Sequence, residues 1–336
     1  MTNDQNIDHT RRKALGLAAG SAAAGLLGIP GTALAQAIPT SGPIRLLVGY
    51  PAGGGTDVMA RVIAEKLKER LGVSIIVENR AGASGTLANE ALKNATPDGT
   101  VLLYAPSAGT VAQTVTKKQL NYDLEKDLAT VTLAGVLPVV YVVSPTLGVK
   151  NFAEYVEWLK KNPKKHNFGT TAMGSQTHFF GVELGQALGM PLEPVAYKGA
   201  APLIADLSAG HASAGCGGLS DFLQHHRGDK LRIIAVSGPK RAASAPELPT
   251  IGELGHPKLT TEGWYGFYAP GKMSPALVQA WNKELVTVLE SPDIKQKILQ
   301  IGMEVRTSTP QAFAEIQSKN IVSFRASMNA AGYQPE

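Results

Sequence analysis

The spacing of apolar positions changes period repeatedly along the chain. "IRLLVGY" (44–50) is a short apolar run stopped by glycines, which predicts a buried strand. From about Asp57 to Arg70, Val58, Val62, Ile63 and Leu67 recur at helical spacing, and Gly72 stands where a helix end is closed. "VSIIVENR" then reads as a strand, "GTLANEALKNA" as a helix, "PDG" as a turn and "TVLLYA" as a strand. Strands alternating with helices define an α/β unit with a largely parallel sheet.

"TVTLAGVLPVVYVVSP" is a long extended stretch carrying Pro138, placed to leave one domain and enter another. A second alternation follows. "NFAEYVEWLKKNP" is a helix with Asn151 as N-cap, "HNFGTTA" a strand, "HFFGVELGQALG" a helix, "PLEPVAY" a strand, "APLIADLSAG" a helix and "LRIIAVSG" a strand. "TTEGWYGFYAP" is extended again and recrosses, and three helical patterns close the chain. The expected organisation is a first domain of residues 41–140 and 265–336 and a second of 141–264, with a ligand cleft between them.

The N-terminus interrupts this picture. "DHTRRKALGLAAGSAAAGLLGIPGTALAQA" has a twin arginine, a Gly/Ala-rich apolar stretch and a small-residue cleavage pattern. It reads as a twin-arginine export signal over residues 1–37, cut after Ala35 or Ala37. No later run approaches the length of a spanning helix, so a soluble periplasmic protein is expected. Cys216 is the lone cysteine, which leaves no intrachain disulfide. The 336 residues carry a formal charge of +5 without basic clusters interleaved with aromatics, which argues against nucleic acid as a partner.

Two strand-to-helix loops carry the candidate chemistry. In "GYPAGGGTDVMAR" the glycines Gly53–Gly55 precede a helix, the arrangement that holds phosphates. Glu78 ends the next strand, where a ribose-binding acid would stand. Against a nucleotide, Val58 occupies a position that needs a small residue, and Asp57 puts negative charge at the helix start. In "GTTAMGSQTHFF" (169–180), Thr170, Thr171, Ser175, Gln176 and Thr177 precede a helix with no acid among them. Backbone N–H groups and hydroxyls there suit a small carboxylate, with N-capping by Ser175 or Thr177 as the plain alternative.

Catalytic and metal readings find less support. No G-x-S-x-G elbow surrounds Ser175 or Ser220. His211, Cys216, His225 and His226 match no zinc spacing, and His225 and His226 are expected to face solvent at a helix end. Phe179, Phe180, Trp158 and Trp281 read as core, and Trp264 and Tyr265 as pocket edge. No cofactor and no metal are expected, and the protein is read as not an enzyme.

Seven segments in order, "PAGGGTDVMAR", "VENRAGASG", "TPDGTVLL", "GSQTH", "YKGAAPLIADLSAG", "PTIGEL" and "WYGFYAP", resemble the Bug family of extracytoplasmic solute-binding proteins, the receptors of tripartite tricarboxylate transporters. The resemblance runs from about Pro43 to the end. It implies a type II periplasmic-binding-protein fold, two α/β domains joined by a two-segment hinge. It also implies a small carboxylate ligand, membrane transporter subunits as partners and a monomeric receptor. By position it assigns ligand binding to Pro51, Gly53, Gly54, Thr56 and Asp57 in the first loop and to Thr170, Ser175, Gln176 and His178 in the second. Ser107 is added from "APSAGT". One departure stands out: where the family commonly ends a strand in an aspartate–asparagine pair, this chain has Gly217 and Gly218. Gly217 is therefore a ligand-contact candidate that leaves room for a bulkier acid, including an aromatic one, and the missing acid argues against an amino-acid ligand. The alternatives are an exported hydrolase or oxidoreductase using the same cleft, and a sensory receptor for the same ligand.

Overall fold

The computed structural model describes residues 38–335, Gly54 excepted; the export signal and Gly54 lie outside the described residues. β1 (Ile44–Val48) pairs in parallel with β2 (Ile75–Asn79) on one side and β3 (Val101–Pro106) on the other. The glycine loop opens α1 (Gly55–Leu71), whose Met59, Ile63 and Leu67 are buried against this sheet. Gly72, at φ +67°, ends the helix in the left-handed conformation glycine adopts freely.

The extended stretch around Pro138 is one 16-residue strand, β4 (Leu128–Val143). Its first part pairs antiparallel with β9 (Glu262–Pro270), register Leu128↔Pro270 to Pro138↔Glu262. Its last part, Val139–Val143, pairs antiparallel with β7 (Ala214–Gly218) on one edge and, from Val140, with β8 (Arg232–Val236) on the other. The full order is β2-β1-β3-β9-β4-β7-β5-β6, with β8 on β4, where β5 is Asn167–Thr170 and β6 is Glu193–Ala196. β4 thus serves two sheet halves in succession. Pro138 is tolerated because it sits at the handover, where the ladder on β9 ends. Two register shifts in the β4–β9 ladder, at Thr130/Thr132 and Leu133/Gly135, bend the strand before it leaves.

Helices cover both halves. Asn151 caps α5 (Phe152–Lys161) by accepting the Glu154 N–H at 2.9 Å, as its position predicts. Two short helices, α3 (Val111–Thr116) and α4 (Leu124–Asp127), were not predicted; they lie between α2 (Thr86–Lys93) and β4. α6 (Gln176–Ala187) follows β5, α7 (Ala200–Ala209) follows β6, and α8 (Leu219–Arg227) follows β7. The chain closes on α9 (Pro275–Leu289), α10 (Pro292–Gln300) and α11 (Pro310–Ala330), of which α9 and α11 pack on β4. Trp281, Phe179 and Phe180 are core as expected. His226 departs from the solvent-facing expectation: it is half-buried and accepts the Ile233 N–H at 3.3 Å. Among the described residues no helix is long and apolar enough to cross a membrane.

Candidate functional site

Both glycine- and serine-bearing loops open on one cavity of about 730 Å³. Its first wall comes from the β1–α1 loop and the end of β3: Tyr50, Gly53, Gly55, Thr56, Pro106 and Ser107. The facing wall comes from the β5–α6 loop: Thr171, Ala172, Ser175, Gln176 and Thr177. The floor is the crossing itself, with Leu137, Pro138 and Val139 beside Gly263, Trp264 and Tyr265. Ser220, Asp221, Leu223 and Gln224 of α8, Gln300 and Ile301 at the end of α10, and Gly199 and Ala200 add to the lining, with Val58, Met59, Ala108 and Gly218.

The helix starts face this space because their loops are braced from behind. Asp57, 2% exposed, accepts the Gly53 N–H at 2.8 Å and the Asn79 Nδ2 at 2.9 Å. Arg61 Nε and Nη2 donate to its two oxygens at 2.9 Å each. Chiefly the Arg61 hydrogen bonds, against the cost of burial, hold the Asp57 carboxyl down at about 2. Asn79 also donates to the Tyr50 carbonyl at 3.0 Å, so the strand end and the loop are one network. Asp57 therefore turns away from the cavity, and the Gly53 N–H is committed to it. Pro51 is exposed on the same loop without lining the cavity.

In the second loop, Ser175 is the N-cap of α6. Its hydroxyl donates to the Ala172 carbonyl at 2.7 Å and accepts the Thr177 N–H at 3.3 Å. Thr177 Oγ1 lies 2.9 Å from both Ser175 Oγ and Thr170 Oγ1. Thr170 is fully buried and supports Thr177 from behind. His178, 3% exposed, accepts the Gly174 N–H on Nδ1 at 3.2 Å, and its ring packs on Phe179 and Tyr333. Burial pushes its pKa below the ordinary histidine value, so it is a neutral loop brace outside the cavity wall.

Gln176 joins the two walls. Ser107 Oγ donates to its Oε1 at 3.2 Å, and its Nε2 donates to the Glu262 carbonyl at 3.1 Å. The Trp264 N–H reaches Ser107 Oγ at 3.4 Å. A Cβ on Gly263 would stand 3.2 Å from the Leu137 carbonyl oxygen, so glycine there suits the close approach of the two crossing strands. Tyr265 stacks on Tyr104 at 5.3 Å, and burial pushes its phenol up to about 12.

Of the residues assigned to ligand binding from sequence, Gly53, Thr56, Ser107, Ser175 and Gln176 line the cavity, as do Thr171 and Thr177 of the second loop and the edge candidates Trp264 and Tyr265. Pro51, Asp57, Thr170, His178 and Gly217 do not. The space over Gly217 is not empty: a Cβ there would stand 2.3 Å from the Phe222 ring and 3.0 Å from the Thr171 methyl. The expectation of room for a bulkier ligand at Gly217 is thereby corrected, because Phe222 fills it. Glu78, considered as a ribose-binding acid, is engaged by Arg45 at 2.7 Å and by Arg80. Sequence reasoning missed Asp221 altogether. The signal available was an acid in the first turn of a helix entered directly from a glycine-ended strand.

The two halves meeting on one strand and one cavity define a periplasmic-binding-protein fold. BugD, a periplasmic binding protein of known structure, is 28% identical, with a TM-score of 0.77 over 88% of this chain and 99% of that one. A structure of Rhodopseudomonas palustris Rpa4515 with adipate is 26% identical, with a TM-score of 0.80 over 88% and 99%. The sequence model of the tripartite tricarboxylate transporter family receptor matches residues 59–329. Protein BugT of Bordetella pertussis is 30% identical over 269 residues, 80% of this chain and 82% of that protein. The chain belongs to the tripartite tricarboxylate transporter receptor family.

Proposed function

We propose that this protein is exported through the 1–37 signal, captures a small organic carboxylate in the 730 Å³ cavity and delivers it unchanged to the membrane subunits of a tripartite transporter. The observation that carries the reading is that two helix starts, at Gly55 and Gln176, open on one cavity whose wall holds no Lys, Arg or His among the described residues. First-turn N–H groups lack intrahelical partners and carry the positive end of the helix dipole, so they hold an anion without a cation. Gly53, Thr56, Ser107, Ser175 and Gln176 are the contacts proposed. Domains of 41–140 with 265–336 and of 141–264 fit the point where β4 passes from β9 to β7. The receptor works as a monomer that closes about β4 and β9.

The adipate recorded with Rpa4515 supports a carboxylate for a fold of this kind. The experiment is native mass spectrometry of the ligand retained on purified protein, then thermal-shift screening of mono-, di- and tricarboxylates. A ligand that raises the melting temperature by mass action and returns intact after long incubation is expected. Its consumption by the protein would overturn the receptor reading.

A further inference from the structure

Asp221 is the one charged side chain among the described residues that line the cavity. It lies in the first turn of α8, just after Gly218, the helix N-cap. An acid there has an ordinary helical use, since a first-turn carboxylate complements the helix dipole. Three observations go beyond that use. The side chain is open to the cavity. Among the described residues it forms no ion pair, whereas the buried acid Asp57 is clamped by an arginine. A backbone hydrogen bond at Gly218 is the polar contact that favours its charge, and the enclosure around the cavity outweighs it, raising the carboxyl to about 6.

The cavity is therefore acidic on the α8 side, with no basic side chain to offset it. A ligand bearing two carboxylates would bring like charge toward Asp221 in a poorly screened space. A ligand that carries its own positive charge would meet that acid and still offer a carboxylate to the helix starts. Resting on the carboxylate-receptor reading, we propose that the ligand is an amino carboxylate whose ammonium group is held by Asp221. Leu137, Leu223, Ile301 and Trp264 give its carbon skeleton an apolar wall. Gln224 and Ser220, one turn or less away on α8, supply further acceptors for ammonium hydrogens.

The end of β7 itself carries no acid, only Gly217 and Gly218. Phe222 fills the space over Gly217, and Leu137 lies against Gly218, where a Cβ would stand 2.8 Å from its methyl. Asp221 is the next acid along the chain, and it reaches the cavity instead.

The test is calorimetry at pH 7.5 on matched pairs that differ only by an amino group. Suitable pairs are glutarate and glutamate, adipate and 2-aminoadipate, 3-phenylpropionate and phenylalanine, and hexanoate and 6-aminohexanoate. At least one aminated member should bind about tenfold or more tightly than its match, the scale of one hydrogen-bonded charge contact. Asp221→Asn should abolish that preference and strengthen binding of the unaminated acids, because the charge removed repelled them. Circular dichroism and melting curves of the variant check that α8 is intact. Unaminated acids binding best to the parent protein would overturn the ammonium assignment and leave the carboxylate receptor standing. No binding by any member, with no carboxylate retained on native protein, would overturn both.

Discussion

The Gly53 N–H points 2.8 Å from the Asp57 carboxylate, and Arg61 holds that carboxylate from the other side. A loop that resembles a phosphate cradle thus spends one of its donors on its own helix. The acid fixes the angle at which the rest of the loop meets the cavity.

Asp57→Ala should cost about 2–3 kcal/mol of stability, because the Gly53, Asn79 and Arg61 donors lose the buried, charged acceptor they share. The linkage has a definite sign. The folded-state pKa of about 2 lies below the ordinary 3.8, so the stabilisation is present above the unfolded value and is lost as pH falls through the folded one. Urea melts of parent and variant should differ fully at about pH 7 and converge toward about pH 2. A gap that does not shrink in acid would show that the Asp57 charge is not the source.

Ser175→Ala should lower stability by about 1 kcal/mol through loss of the α6 N-cap. Its hydroxyl proton already goes to the Ala172 carbonyl, so the affinity loss for the retained carboxylate should stay below about tenfold, the least expected from a direct charged hydrogen bond. Thermal melts and calorimetry on one preparation separate the two effects. A larger affinity loss with an unchanged melt would mean that the hydroxyl turns to the ligand.

Gln176→Leu should remove the bonds to Ser107 and Glu262 that tie the two walls together without ligand. Solution scattering should then give a larger radius of gyration for the ligand-free variant than for the ligand-free parent, with the ligand-bound forms alike. Identical ligand-free radii would place the control of closure elsewhere.

Gly217→Ala should destabilise by about 1–3 kcal/mol, because its Cβ would overlap the Phe222 ring. Adding Phe222→Leu should recover part of that loss, which a double-mutant cycle in urea measures. Strict additivity of the two changes would mean that the contact is not what limits the site.

Most of the fold was open to reading because glycine and proline punctuate it at the strand ends. The order from Ile44 to Pro106, the long stretch through Pro138 and the return through Trp264 all follow from period and punctuation. Helices Val111–Thr116 and Leu124–Asp127 did not, since neither is long enough to display a face. In the site, Gly53, Thr56, Ser107, Ser175 and Gln176 were visible as loop residues before helices, and the cavity gathers them. Asp57 and His178 stood in the same loops but turn inward as braces, a distinction of side-chain direction that spacing does not carry. Leu137, Asp221 and Ile301 escaped notice because tertiary folding brings them together from distant segments.

The shared strand β4 also sets an order on synthesis. Everything from Pro138 to Glu262 lies between two ladder partners, so their pairing closes a long loop and comes late on entropic grounds. β5, β6, β7 and β8 and the last part of β4 all precede β9 along the chain. The inserted half can therefore become compact first, while the half that begins the chain waits for its closing strand and the C-terminal helices that cover it. A released chain truncated after residue 261 should accordingly protect the segment 139–236 from protease and leave 44–106 open to it.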